Sequence, residues 1–558
     1  MTMLRYKKLV VIIALTLLSS TLILVEFTPA AEANPWMADA LFGEKAPPGI
    51  KINGDGTVEG TNKIVQTNNT TYSLTSDISD SITILKNGIT LNGNGHTLHG
   101  KSGQRGIFIQ GLDGITITNL KIEGCECAIK LAWRHYGDYD GRTIIISHNT
   151  FSGNKNAIAF TDHLQGSNIT DNCFVANTIC VKGAVGVSFR GNQFLDNEYC
   201  MPTDPGLNDV DPSNQVNGKP VYYWINQQNM TVPSDAGWVV LKHCKNIVVE
   251  GLNITRSGGE VQLYNTTDST IKGNSLSKSG ISLMESSGNV IEDNKIADVN
   301  HAGVLLQFCR ENRVVRNQIV DNDEGVSMQL CDNNTVSQNQ LTQNTMGLNM
   351  SFIYFNSSAS TTLVSQNVIS KNSIGIYLYS TNGATITLNN ITDNLDWGMK
   401  LENNPKNNSI YHNNFIGNNV TDKLQVCITG FWKQIDNGSS VNGTYKPPRR
   451  DFVPGEANFW NNTIGGNYWS DYTARYTNAA ELGETGVGDK AFYINQNNID
   501  NYPLMTPVDI TNTNELLPNQ EAAGTNALQN LSLPVLLGIV LAAVVVAGLA
   551  VFLWKRRN

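Results

Sequence analysis

One six-residue phrase, Asn-x-apolar-x-x-Asn, returns along most of this chain. It reads Asn149-Thr-Phe151-Ser-Gly-Asn154 and comes back as Asn172/Phe174/Asn177 and Asn192/Phe194/Asn197. Further copies are Asn317/Ile319/Asn322, Asn339/Leu341/Asn344, Asn367/Ile369/Asn372, Asn389/Ile391/Asn394 and Asn413/Phe415/Asn418. Neighbouring copies mostly lie about 20 to 24 residues apart. A fixed period of this size marks a solenoid, because each repeat can bury its apolar face only against the next.

Within a repeat the pattern is that of strands. A Gly-apolar step follows each phrase, at Gly303-Val304, Gly325-Val326, Gly347-Leu348, Gly375-Ile376 and Gly398-Met399. Alternation continues from it, as in Val326-Ser-Met328 and Ile376-Tyr-Leu378, and a third apolar point comes at Val314, Val336, Leu363, Ile386 and Ile410. Three short strands with period-two patterning fit about 22 residues, one coil of a right-handed parallel β-helix. Coils would then stack at the strand spacing of about 4.8 Å.

The repeated asparagines have a structural task in this reading. Asn tolerates left-handed backbone at a sharp corner, and stacked amides bond to the copies above and below. The central Phe, Ile or Leu would stack inside. Composition agrees: charged residues make up only 16% and there are 49 glycines for corners. A net charge of −9 with no basic stripe argues against nucleic acid as a partner.

The ends supply an address. Residues 1–33 read as a signal peptide, with Arg5, Lys7 and Lys8 before an apolar stretch and Ala31-Glu-Ala33 as the cleavage site. Residues 531–554 form one apolar C-terminal span, followed by Lys555-Arg556-Arg557 in a cytoplasmic tail, 555–558. Residues 508–530 are a polar stalk. The ectodomain is expected outside the cell, and sequons such as Asn69, Asn168, Asn253, Asn349, Asn390, Asn442 and Asn461 fit a glycoprotein. Between the ends come an N-terminal cap, 34–90, then coils over 91–199. A proline-rich inserted loop over 200–246, coils over 247–425 and a C-terminal cap module over 426–507 follow. Cys309 and Cys331 fall one coil apart, where either a disulfide or a ladder of buried thiols fits.

The segment Thr90-Leu-Asn-Gly-Asn-Gly-His-Thr-Leu-His-Gly100, the Asn217-Gly-Lys-Pro-Val-Tyr-Tyr223 run and the coils resemble the NosD-like right-handed β-helix proteins. The coils also resemble carbohydrate-binding and sugar-hydrolase β-helices. Gly465-Gly-Asn-Tyr-Trp-Ser-Asp-Tyr472, Gly486-Val-Gly-Asp489 and Asp500-Asn-Tyr-Pro-Leu504 resemble a tail module of archaeal surface members. The resemblance implies the fold, a surface location and, by the NosD name, copper. It also implies Ca²⁺ at the tail, but only Glu481, Glu484 and Asp489 remain there as charged oxygen donors.

For copper the available side chains are sparse. His96 and His99, three apart on a strand, are expected to face opposite sides, His135 and His163 approach on neighbouring coils, and Met328 and Met350 read as core. No cofactor is therefore assigned, and no metal ligand set. Asp298 and Asp321 share a register with Gln343, Lys371 and Asp393, which marks a solvated edge. The candidate site is Trp133-Arg-His-Tyr-Gly-Asp-Tyr-Asp140 with Asp162-His163 about one coil later. Trp133, Tyr136 and Tyr139 would stack on sugar rings, with Arg134 and His135 beside them, and Arg134 would hold a carboxylate. Asp138, Asp140 and Asp162 are the acid or base candidates with His163. The expected function is a single-span cell-surface protein binding polysaccharide or envelope glycan without turnover. The alternatives are a tethered polysaccharide lyase or glycoside hydrolase and a copper-binding accessory protein.

Overall fold

A computed structural model describes residues 47–511 except 133–142, 161–165, 201–207, 257, 352–361, 420–424 and parts of 430–455. The expected signal peptide, the stalk beyond residue 511 and the C-terminal span lie outside the described residues. No helix among the described residues is long and apolar enough to cross a membrane. The chain divides into two units, 1–218 and 219–558.

Each unit is a parallel β-solenoid whose coils contribute one strand to each of three faces. In the first unit a representative coil runs through Arg105–Gln110, Ile115–Thr118 and Lys121–Glu123. We call these the long, second and third faces. In the second unit a representative coil is Glu324–Gln329, Thr335–Ser337 and Gln340–Thr342. Strands on each face pair in parallel and in register, as in Val304↔Val326↔Leu348 and Ile319↔Leu341↔Ile369. The register makes the core a set of columns. Phe151, Phe174 and Phe194 stack at 5.0 and 4.8 Å, and Met328 and Met350 pair inward, fully buried. The two methionines are therefore core, as their spacing predicts.

The Gly-apolar step has a steric cause. A Cβ on Gly347 would lie 2.7 Å from the Gly375 carbonyl oxygen of the next coil, and equivalent positions meet equivalent oxygens. Stacking at β-sheet spacing leaves no room there for a side chain.

The asparagine corner differs from expectation. Left-handed backbone belongs to the residue before the ladder Asn: Arg316 (φ 57°), Asp321 (56°), Gln338 (57°), Gln343 (59°), Lys371 (57°) and Asp393 (54°). These side chains point to solvent, so almost any polar residue is tolerated. The Asn that follows is buried and bonds along the stack. Asn317 donates its N–H and its amide to Asn339 Oδ1 at 2.9 and 3.0 Å, and its amide also reaches the Ile291 carbonyl at 2.8 Å. Asp298 (φ 58°) and Asp321 are corner residues of the first kind and are exposed.

Two boundaries shift. Residues 219–246, expected as an inserted loop, form coil strands at Lys219–Ile225 and Trp238–Lys242, paired in parallel. Pro220 lies near the start of the first of these strands, and its carbonyl accepts the Gly237 N–H at 2.8 Å. The N-terminal lead-in already carries sheet: Ile50↔Ile82↔Ile107 is parallel, while antiparallel hairpins at Ile50–Ile52/Val58–Glu59 and Ile64–Gln66/Thr71–Leu74 close the open end.

Past residue 456 the sequence period disappears but the ladders continue. Asn408 bonds to Asn458 and Asn458 to Asn498; Asn413 bonds to Asn467, whose N–H donates to Asp500 Oδ2 at 2.7 Å. Trp469 stacks on Phe415 at 4.6 Å and on Phe492 at 4.2 Å, covering the last coil.

Candidate functional site

All nine sequence-predicted site residues, Trp133, Arg134, His135, Tyr136, Asp138, Tyr139, Asp140, Asp162 and His163, lie outside the described residues. The strands that lead into them are described. Cys127–Ala132 and Asn156–Phe160 are neighbours on the long face, with Leu131 opposite Phe160. Both segments therefore leave the same edge of one face on successive coils, about 4.8 Å apart at their roots.

The described residues present a second site, on the outer surface of the long face in the second unit. Alternation turns Ile376, Leu378, Met399 and Leu401 inward and leaves Tyr377, Tyr379, Lys400 and Glu402 outward. Register places Tyr377 beside Lys400 and Tyr379 beside Glu402, with Trp397 at the strand start. Lys400 Nζ sits 5.6 Å from the Tyr377 ring centre and 5.5 Å from that of Trp397. It donates to Glu402 Oε2 at 2.8 Å, and the Tyr377 hydroxyl donates to the same oxygen at 3.0 Å. The Lys400 bond holds the Glu402 carboxyl below its ordinary range. Burial, then the Glu402 bond, pushes the Tyr377 phenol well up. The cluster thus sets a lysine, a carboxylate and a neutral phenol around two aromatic rings. It can hydrogen-bond to hydroxyls and cover an apolar ring face.

The same surface continues as a polar strip. Asn349 donates to Glu324 at 2.8 Å, and Gln307 donates to Gln329 at 2.8 Å. Further along, Gln262 donates to Glu260 at 2.6 Å, and burial raises the Glu260 carboxyl above its ordinary range. Sequence reasoning missed this strip because it treated the alternation as evidence for strands and did not ask what the outward positions carry. The signal was there in Trp397-Gly-Met-Lys-Leu-Glu402 and Ile376-Tyr-Leu-Tyr379.

The metal readings find little support in the described geometry. His96 and His99 do not face opposite sides: His96 Nδ1 lies 3.4 Å from Asp77 Oδ1 and His99 Nε2 lies 3.9 Å from Asp77 Oδ2. A bend before the short strand Thr97–His99 turns His96 to the same carboxylate. His99 Nδ1 meets Glu123 at 2.9 Å. Among the described residues no group of three or more His, Cys, Asp or Glu side chains is placed to hold a metal ion. Among the described residues, Met328, Met350, Cys309 and Cys331 are closed off in the core and offer no open copper ligand, while His135 and His163 lie outside the described residues. At the tail, Glu481 accepts the Gly486 N–H at 2.7 Å and Asp489 accepts the Ala480 N–H at 2.8 Å, so both carboxylates serve the local turn.

The fold is that of a parallel β-solenoid protein. Within that class, residues 212–358 and 343–474 match the family described as periplasmic copper-binding protein (NosD). Those coils are similar to that family, and the Asn217–Tyr223 run that carries the sequence resemblance lies within the matched residues. The match spans just under half of the chain. No curated protein matches the sequence. Among solved structures, the A-module of a mannuronan C-5 epimerase of Azotobacter vinelandii is similar at 11% identity, covering 55% of this chain and 91% of that one, with a TM-score of 0.26. A periplasmic alginate epimerase is similar at 11% identity over 59% and 79%, with a TM-score of 0.23. A tailspike of E. coli bacteriophage HK620 in complex with a pentasaccharide is similar at 10% identity over 64% and 76%, with a TM-score of 0.26.

Proposed function

We propose that the protein is an exported, membrane-anchored solenoid that binds a glycan on the outer long face of its second unit, without turnover. The observation that supports this most is the Trp397–Lys400–Tyr377–Glu402 cluster. Two aromatic rings offer faces for sugar rings, and the charged pair offers a fixed donor and acceptor for their hydroxyls. The export and anchor parts rest on residues 1–33 and 531–554 of the sequence.

Charge and spacing speak against turnover at this cluster. Glycoside hydrolysis needs two carboxyls about 5 to 9.5 Å apart, one of them protonated. Glu402 is held ionised, and the next outward carboxyl along the strip, Glu324, lies three coil steps away and in register with Trp397, five residues back along the strand, about 20 Å in all.

The test uses the full chain in detergent on immobilised acidic and neutral polysaccharides, scoring retention and new chain ends. Trp397→Ala is expected to weaken retention about ten-fold, the equivalent of ~1.4 kcal/mol, with no new ends in either protein. Undiminished retention by that variant would remove the site.

A second reading has its own support. The adjacency of Leu131 and Phe160 brings the roots of the 133–142 and 161–165 segments together, which suits a lyase or hydrolase built from Asp138, Asp140, Asp162 and His163. New chain ends that disappear in Asp162→Ala or His163→Ala would put this reading first.

A further inference from the structure

The turn between the long and second faces of the second unit carries an unusual share of its exposed sequons. Asn229-Met-Thr231, Asn265-Thr-Thr267, Asn333-Asn-Thr335 and Asn407-Asn-Ser409 each fit Asn-x-Ser/Thr. All four asparagines are exposed, and all have left-handed backbone, with φ of 57°, 43°, 52° and 56°. The register explains the clustering. Asn333 and Asn407 each stand immediately before a ladder residue, Asn334 and Asn408, at the second bend of the turn. Asn229 pairs in register with Asn246, a left-handed residue of the same bend, and Asn265 precedes the buried Thr266 at the first bend. Left-handed backbone throws these side chains outward; at Asn265, Asn333 and Asn407 the next residue points in, so the sequon Asn and its hydroxyl partner two positions on face the same side, while Met230 after Asn229 is itself exposed.

Other sequons are placed differently. Asn349 is buried on the long face and bonded to Glu324, and Asn419 is buried. Asn390, on the third face, is half-buried. Asn253, on the third face, is exposed but away from this edge. The same turn also exposes apolar surface: Phe308 stands out with 51% of its surface in water, and Leu330 follows at the same bend one coil later, three residues before Asn333.

We infer that the chain is N-glycosylated along this one edge, at Asn229, Asn265, Asn333 and Asn407. The inference rests on the export reading. The first sugars on Asn333 cover Phe308 and Leu330, while Trp397, at the opposite end of its long-face strand, stays open.

The experiment is glycopeptide mass spectrometry on the full chain, isolated from the membrane fraction of a host that glycosylates Asn-x-Ser/Thr. The expected result is sugar on the four edge sites and none on Asn349, Asn390 or Asn419. In an Asn333→Gln variant, oxidative footprinting at Phe308 is expected to rise at least two-fold. Sugar on Asn69 or Asn253 but not on the edge sites would overturn the inference while leaving export intact. A membrane-associated chain with no sugar would overturn it too. A chain absent from the membrane fraction and bare of sugar would remove both the inference and the export reading.

Discussion

At the residue scale, two neighbouring positions divide the work of each corner. Gln343 supplies the left-handed turn and faces water; Asn344 faces inward and accepts the N–H and amide of Asn322 at 3.0 and 2.9 Å. Asn344→Leu is expected to cost about 2 to 4 kcal/mol, because Asn322 loses its acceptor and the Ile319 carbonyl its donor in a buried site. Gln343→Gly is expected to change stability by less than ~1 kcal/mol, since relief at positive φ offsets the added freedom of the unfolded chain. Urea unfolding of the two variants separates the roles. Asp500 ends one ladder, accepting from the Asn467 N–H, from Trp469 Nε1 at 2.9 Å and from the Tyr502 N–H at 3.1 Å. Burial outweighs those bonds and pushes its carboxyl from 3.8 up to about 6. The folded chain therefore binds this proton more tightly than the unfolded chain. The resulting stability is complete below the ordinary value of 3.8 and is lost as pH rises through about 6. Thermal unfolding of Asp500→Asn against the parent between pH 4 and 7 is expected to show that slope in the parent alone.

Single elements show why side-chain type and side-chain role come apart. After several long-face strands of the second unit stands a small donor. Thr266 bonds to the Leu241 and Tyr264 carbonyls, Cys309 to those of Leu283 and Gln307, and Cys331 to those of Leu306 and Gln329. The one-coil spacing of Cys309 and Cys331 left a disulfide and a thiol ladder equally open. The described cysteines are free, and these two do the work that Thr and Ser do on other coils. Cys331→Ser is expected to keep stability within about 1 kcal/mol, whereas the native thiols are expected to resist alkylation until the chain unfolds. Buried thiols elsewhere behave alike, with Cys125 pushed up to about 11 by burial. The three-strand coil was legible because period-two patterning and the Gly-apolar step survive in most coils of the second unit. The strip around Trp397 was less so: outward positions follow no pattern of their own, and only register shows that Tyr377 and Lys400 are neighbours.

For the molecule as a whole, a solenoid must close its ends, and the tail module does so by imitating coils. Trp469 occupies the Phe415 column and Asp500 the asparagine ladder, with 33 residues between Asn467 and Asp500 where a coil usually spans about 23. Trp469→Ala is expected to cost about 3 to 5 kcal/mol and to make the second unit self-associate, measured by thermal unfolding and light scattering. By itself the sequence determined the solenoid, its three faces, its inward columns and its NosD resemblance, since all of these are periodic and each repeat restates them. Only the tertiary structure decided where the ladders end, that His96 and His99 share Asp77, that residues 219–246 are coil, and which sequons reach water. Those features depend on contacts between residues far apart in the chain that occur once, such as His96 with Asp77 and Val221 with Trp238, and a contact made once leaves no period to read.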